Sequence, residues 1–208
     1  KIRLVDFKRS KHGMEATDYD ALTGQWAAQG TNLYLLARLH TRPQANVDDL
    51  LNEYYGAFGR AAGDVRRYFD YWEDFVAQRR ETIDRQFEDN TSRWRAFAIA
   101  AHVAFPPESF GRAAAILAEA ERHAGVDRDP TTVARGRSLQ AGPAHARLCA
   151  EVSAALTLND ASSAPERGRD ALARLIAFRR EHAREWIANF NHCSWVEDKS
   201  WRLPVSLT

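Results

Sequence analysis

Residues 62–88 carry Val65, Tyr68, Phe69, Trp72, Phe75, Val76, Ile83 and Phe87 at helical spacing, with Arg66, Arg67, Asp70, Glu73, Asp74, Arg79, Arg80, Glu81 and Asp84 on the other side. That period belongs to one face of an α-helix, because a strand would alternate every second residue. The apolar face cannot stay in water and needs other elements to cover it. An amphipathic run of this length suits a helical bundle better than a small α/β domain.

The rest of the chain is punctuated in the same way. Thr17 or Asp18 caps an expected helix over about 19–41, with Leu22, Trp26, Leu33, Leu36, Ala37 and His40 inward, and Pro43 stops it. Asn46 caps a second helix, Asp49 faces its free N–H groups, and Gly59 ends it. A helix over 91–104 breaks at Pro106-Pro107, and the next runs to about His123 with Gly125 as its stop. Asp129-Pro130 restarts helical chain up to Leu158, where Gly142-Pro143 should kink or interrupt it. The last helix covers about 165–189 and buries Leu172, Leu175, Ile176, the stem of Arg179, Ala183, Trp186 and Ile187. The expectation is a mainly α bundle of six to seven helices. Residues 1–7 alternate like a short strand, 8–16 read as a loop, and 190–208 form an aromatic tail that packs back on the bundle.

Composition narrows the function classes. Hydrophobic residues are 45% of 208, enough for a core. With 29 basic and 28 acidic side chains there is no global field to steer nucleic acid, and no glycine-rich phosphate loop or recognition-helix pattern accompanies the arginine pairs. No apolar run is long enough to span a membrane. Cys149 and Cys193 are too few for a disulfide scaffold or a cysteine-rich zinc site. Lys1-Ile2-Arg3-Leu4 does not open like a signal peptide and has no Met before it, so an upstream segment is expected. Asn90-Thr91-Ser92 fits a glycosylation acceptor, a short and common triplet.

Three clusters could carry chemistry. His145 and Cys149 share a helical face near Glu151, but a thiol nucleophile also needs an oriented base and an oxyanion donor, and a cysteine among alanines is ordinarily a small core hydrophobe. His182 lies between Glu181 and Glu185 without the second histidine of a zinc helix, and Arg180 and Arg184 offer those acids local partners. His192-Cys193 supplies half a metal site, with His12 or His102 as distant completions; packing is the simpler reading, and no metal is assigned. Glycoside hydrolysis needs two carboxylates across a cleft. Asp70, Glu73 and Asp74 belong to a charged surface, Asp18 and Asp20 to a helix start, so no catalytic acid is assigned. Among the aromatic residues, Trp26, Tyr34, Tyr71 and Trp72 are the candidates for contact with a sugar ring, although most aromatics here sit at core spacing. Tyr71 and Trp72 are adjacent and cannot both enter one thin stripe, so one must face a neighbouring element.

The run Asn32-Leu33-Tyr34-Leu35-Leu36-Ala37-Arg38-Leu39, then Asn46-Val47-Asp48-Asp49-Leu50-Leu51-Asn52-Glu53-Tyr54-Tyr55, then Gly59 and Arg67-Tyr68-Phe69, resembles the DUF4838 family, most strongly over 24–75. Those proteins are similar to glycoside hydrolases with a (β/α)₈ barrel followed by a helical region. The resemblance implies a bacterial carbohydrate-active parent that needs no cofactor. Residues 1–45 would close the barrel, 46–189 would form the helical domain and 190–208 its tail. The implied partners are the catalytic barrel of the parent chain and a glycan, with no nucleic acid and no membrane span. The chain would brace the barrel and wall one side of its substrate site. The alternative is an independent helical module that binds a protein or a carbohydrate without catalysis. His40 stands where a tryptophan is frequent in similar proteins, which weakens a stacking role there.

Overall fold

The computed structural model describes residues 26–86, 93–127, 129–157 and 164–201. Among them the chain is mainly α, with helices and no strand. In chain order the helices are α1 (Trp26–Thr41), α2 (Val47–Gly56), α3 (Ala62–Gln78), α4 (Arg80–Arg85), α5 (Arg93–Ala104), α6 (Ser109–Asp127), α7 (Pro130–Thr157), α8 (Ala164–Glu181) and α9 (Phe190–Trp201), with a 3₁₀ turn at Gly59–Ala61. The expected strand over 1–7, the loop at 8–16, the cap at Thr17 or Asp18 and the triplet at Asn90 lie outside the described residues.

Local chemistry sets most boundaries. The Asn46 side chain accepts from the Asp48 amide at 2.8 Å and opens α2. Asp129 accepts from the amides of Thr131 and Thr132 and from the Thr132 hydroxyl, and Pro130 follows as first helical residue, where its missing N–H costs nothing. Those bonds hold the Asp129 carboxyl below its ordinary range. Gly59 takes a positive φ of 56°, a turn that carries the chain from α2 into α3 and that a side chain would resist.

The longest helix, α7, is the mast of the bundle, packed against α1, α5, α6 and α8. On one side Tyr55, Phe58, Val65 and Tyr68 meet the small residues Ala113, Ala120 and Ala124 of α6 around Leu117 and Leu139. On the other, Val152 of α7 meets Ala171, Leu172 and Leu175 of α8. Leu35 and Leu39 close on Leu50, joining α1 to α2.

Five expectations are corrected. The 62–88 helix is divided at Arg79, where the backbone leaves helical geometry and the guanidinium reaches across to the Val103 carbonyl at 2.7 Å. Gly125 does not end α6, which runs to Asp127. Of the kink or interruption expected at Gly142-Pro143, the interruption does not occur: Pro143 lies inside the continuous helix α7. Its neighbour Gly142 serves packing instead: a Cβ there would stand 2.9 Å from that of Ala27, so the glycine lets α1 seat against α7. Along α1 the buried stripe is Thr31, Leu35 and Leu39, while Ala37 and His40 are exposed. Finally, α8 stops at Glu181, which leaves Trp186 on a turn and 77% exposed. The tail beyond it is a helix, opened by Asn189 accepting from the His192 amide at 3.1 Å.

Leu175 is fully buried between α7 and α8. Leu175→Ala is expected to lower unfolding free energy by about 2–5 kcal/mol in urea titration, through lost transfer energy and the cavity left behind. Val126→Ala on the exposed end of α6 should stay within about 0.5 kcal/mol of the parent.

Candidate functional site

Trp26, Gly30 and Tyr34 follow one another at intervals of four along α1 and therefore share a face. That face forms one wall of a groove of about 480 Å³. Glu53, Tyr54, Ala57 and Phe58 form the opposite wall, Arg135, Ser138 and Leu139 of α7 the floor, and Trp186 reaches in from the turn between α8 and α9. The size falls in the range of small-ligand sites.

Three features shape it. A Cβ on Gly30 would stand 2.5 Å from the Tyr54 hydroxyl oxygen, so the missing side chain is what lets that phenol lie against α1. Burial, with a lesser contribution from Tyr55, raises the Tyr54 pKa to about 12, so the hydroxyl stays protonated. The Trp186 and Trp26 rings meet edge to face, centroids 5.3 Å apart. The turn that presents Trp186 is held firmly: the Ala27 amide donates to the Ile187 carbonyl at 3.0 Å, and Ile187 and Ala188 are buried with Ala141 and Phe190. The indole points outward immediately before this buried pair.

The polar groups are unevenly paired. Glu53 receives the Arg38 guanidinium and lies 3.9 Å from that of Arg42. The Arg38 hydrogen bond, then one from Tyr34, hold the Glu53 carboxyl below its ordinary range. Tyr34 moves up, first by burial and then by its bond to Glu53. Arg135 donates from Nη1 to the Ala57 carbonyl at 2.7 Å and forms no ion pair with a carboxylate among the described residues.

Two of the four sugar-contact candidates, Trp26 and Tyr34, thus meet in the groove, while Tyr71 and Trp72 lie elsewhere. The Tyr71 hydroxyl donates to the Ser109 carbonyl at 2.7 Å, and the Trp72 ring packs between Phe105 and Phe110 at 5.9 and 5.2 Å. Both face the elements that flank α3. Glu53, Arg135 and Trp186 had no place in the sequence reading of this site. Asn189, a helix-opening residue eight positions beyond Glu181, was the signal that the α8 helix must end before Trp186.

The second polar centre lies under α9. Arg179 has no exposed surface and grips Glu197 with both Nη atoms, at 2.5 and 2.7 Å. Its Nε donates to Nε2 of His145 at 2.9 Å, which places the remaining ring proton on Nδ1. Burial first, then the Arg179 charge, drive the His145 pKa down to about 3. Cys149 Sγ lies 3.6 Å from His145, yet burial and the Glu197 charge push its thiol well above the ordinary range. A nucleophilic pair requires the reverse, a thiol poised low and a histidine able to take its proton. The centre is a structural clasp between α7, α8 and α9.

Two further pairings have the look of chemistry. Ser153 and His102 are 2.8 Å apart, but the Ser153 hydroxyl donates to the Ile99 carbonyl at 2.6 Å and the serine is fully buried. His123 meets the buried Asp64 carboxylate at 2.6 Å, and Arg67 holds the other oxygen. Burial works to raise Asp64; the bonds from His123 and Arg67 outweigh it and hold the group low. No group of three His, Cys, Asp or Glu side chains is placed to hold a metal ion among the described residues. Nor is any described helix long and apolar enough to cross a membrane. Comparison with known protein families, curated proteins and solved structures finds no match for this chain.

Removing one member of the clasp leaves a buried charge alone. Glu197→Leu should cost about 3–5 kcal/mol in urea denaturation, and Arg179→Met in the same chain should restore much of it. His145 predicts a pH dependence. It stays neutral in the fold down to about 3, while the unfolded chain takes up its proton near 6.5. Stability should therefore fall as pH falls through that window, by up to about 1.4 kcal/mol per pH unit. Between pH 6.5 and 5 the slope should be shallower in His145→Gln than in the parent.

Proposed function

We propose that this helical domain is a non-catalytic binding module whose aromatic groove takes a short glycan. The observation that carries the reading is Trp186, a large indole left 77% exposed on a turn whose neighbours Ile187 and Ala188 are buried. Ordinary packing would have covered it. Instead the backbone presents it opposite Trp26, with Tyr34 and Tyr54 further along the groove. Flat rings of this kind accept the C–H face of a sugar, and the Tyr54, Ser138 and Arg135 donors stand where hydroxyls would lie.

Binding fits better than bond cleavage. A glycosidase works with two carboxylates across the scissile bond. The described lining of this groove carries one, Glu53, already engaged by Arg38 and Tyr34. The bracing role toward a barrel, which the DUF4838 resemblance implies, calls for a broad apolar contact face. The large exposed apolar residues among those described, Val76, Ile99, Val126, Trp186 and Trp195, are spread over five elements.

Titration of the chain with an oligosaccharide panel, followed by calorimetry and tryptophan fluorescence, is expected to show binding without release of new reducing ends. Trp186→Ala should weaken it by about tenfold or more while lowering stability by no more than about 1.5 kcal/mol, the worth of its edge-to-face contact with Trp26. Gly30→Ala should close the groove by driving a methyl group onto the Tyr54 hydroxyl, with a comparable loss. Binding that ignores both substitutions, or steady turnover of any panel member, would defeat the proposal.

A further inference from the structure

The two charged side chains that line the groove, Glu53 and Arg135, are paired differently. Glu53 brings one negative charge, and Arg38 and Arg42 both sit against it without themselves lining the groove. Arg135 adds a third guanidinium, on the floor beside Ser138. The Asp129 carboxylate, just ahead of α7, feels the Arg135 charge but is already engaged in capping that helix. One edge of the Arg135 guanidinium is anchored through Nη1 to the Ala57 carbonyl, and this fixes the plane of the group. A planar fork with remaining N–H donors and no carboxylate partner among the described residues matches a carboxylate better than a lone hydroxyl.

We infer that the groove selects acidic glycans, with the carboxylate of a uronic acid residue seated on Arg135 while its ring lies against the Trp26–Trp186 pair. The inference rests on the glycan-binding reading and narrows it to a substrate class. Neutral sugars would find the same aromatic surface but leave the guanidinium without a charged partner.

The test compares matched neutral and uronate trisaccharides of the gluco, galacto and manno series by calorimetry on the full chain. The uronate of at least one pair should bind about tenfold tighter than its neutral counterpart at low salt. That advantage should shrink as salt is raised, because Arg135 is exposed and its charge is screened. Arg135→Gln should erase the advantage, weakening the uronate about tenfold more than its neutral counterpart, while Arg135→Lys, which keeps the charge but not the fork, should retain part of it. Equal or preferential binding of neutral sugars, still lost in Trp186→Ala, would overturn the acidic selection and leave the groove reading standing. Binding of no member of the panel would overturn both. A thermal melt of Arg135→Gln that matches the parent excludes misfolding as the cause of any loss.

Discussion

The Arg179–Glu197 pair governs more of this molecule than its two residues suggest. A guanidinium with no exposed surface is tolerated only when its donors are matched, and here Glu197 takes the two Nη atoms and His145 takes Nε. Because Glu197 belongs to α9 and His145 to α7, satisfying Arg179 fixes the last helix against the mast. Phe190 at the start of α9 then sits over the Arg179 guanidinium and beside His145, and Ile187 and Ala188 are drawn inward just ahead of it. The turn at 182–189 has little freedom left. Trp186 stays exposed while Ile187 and Ala188, immediately after it, are buried.

The same logic of close approach places the other wall. Helix α1 seats on α7 where Gly142 meets Ala27, and against α2 where Gly30 meets the Tyr54 ring. Both contacts are tighter than a methyl group would permit. They set the depth at which Trp26 and Tyr34 stand, and so the width of the groove between α1, α2 and the 182–189 turn. Glycine here is chosen for what it lacks in volume rather than for backbone freedom, and neither residue has the positive φ that Gly59 shows.

Much of the architecture is legible in the residues, and the failures share a cause. The amphipathic stripe of α3, the Asn46 cap and the Asp129-Pro130 start are local signals, readable without knowing what lies opposite. α1 is different. Its run Leu33-Tyr34-Leu35-Leu36 is apolar on nearly all sides, so spacing alone cannot say that Leu35 and Leu39 are buried while Leu36 is only half covered. The Arg179 pairing is legible only in part. An arginine in line with Leu172, Leu175 and Ile176 reads as a buried stem, whereas the whole residue is buried, and its partner lies in a segment that reads as an aromatic tail. That segment is a helix with Glu197 at a core position, two turns from Phe190. The groove draws on α1, α2, α7 and a turn, so its composition depends on tertiary packing. Trp26 and Tyr34 are recognisable as aromatic residues suited to sugars, whereas Glu53 and Arg135 become interesting only once they face the same space.

The two polar centres also differ in what burial does to them. Beneath α9, loss of water moves His145 down and Cys149 up, each toward its neutral form, and the charges that remain neutralise one another. Such a centre holds a shape and has nothing left to offer a substrate. In the groove the balance is reversed. Glu53 is kept ionised by Arg38 first and then by Tyr34, and Arg135 is itself exposed, in a groove that the exposed Trp186 indole also lines. The energy that an exposed indole forgoes, on the order of 1.5–3 kcal/mol for a large apolar side chain, is recoverable only when something covers it. Because the 182–189 turn is already rigid, covering Trp186 orders little additional chain, and most of that energy can appear as affinity.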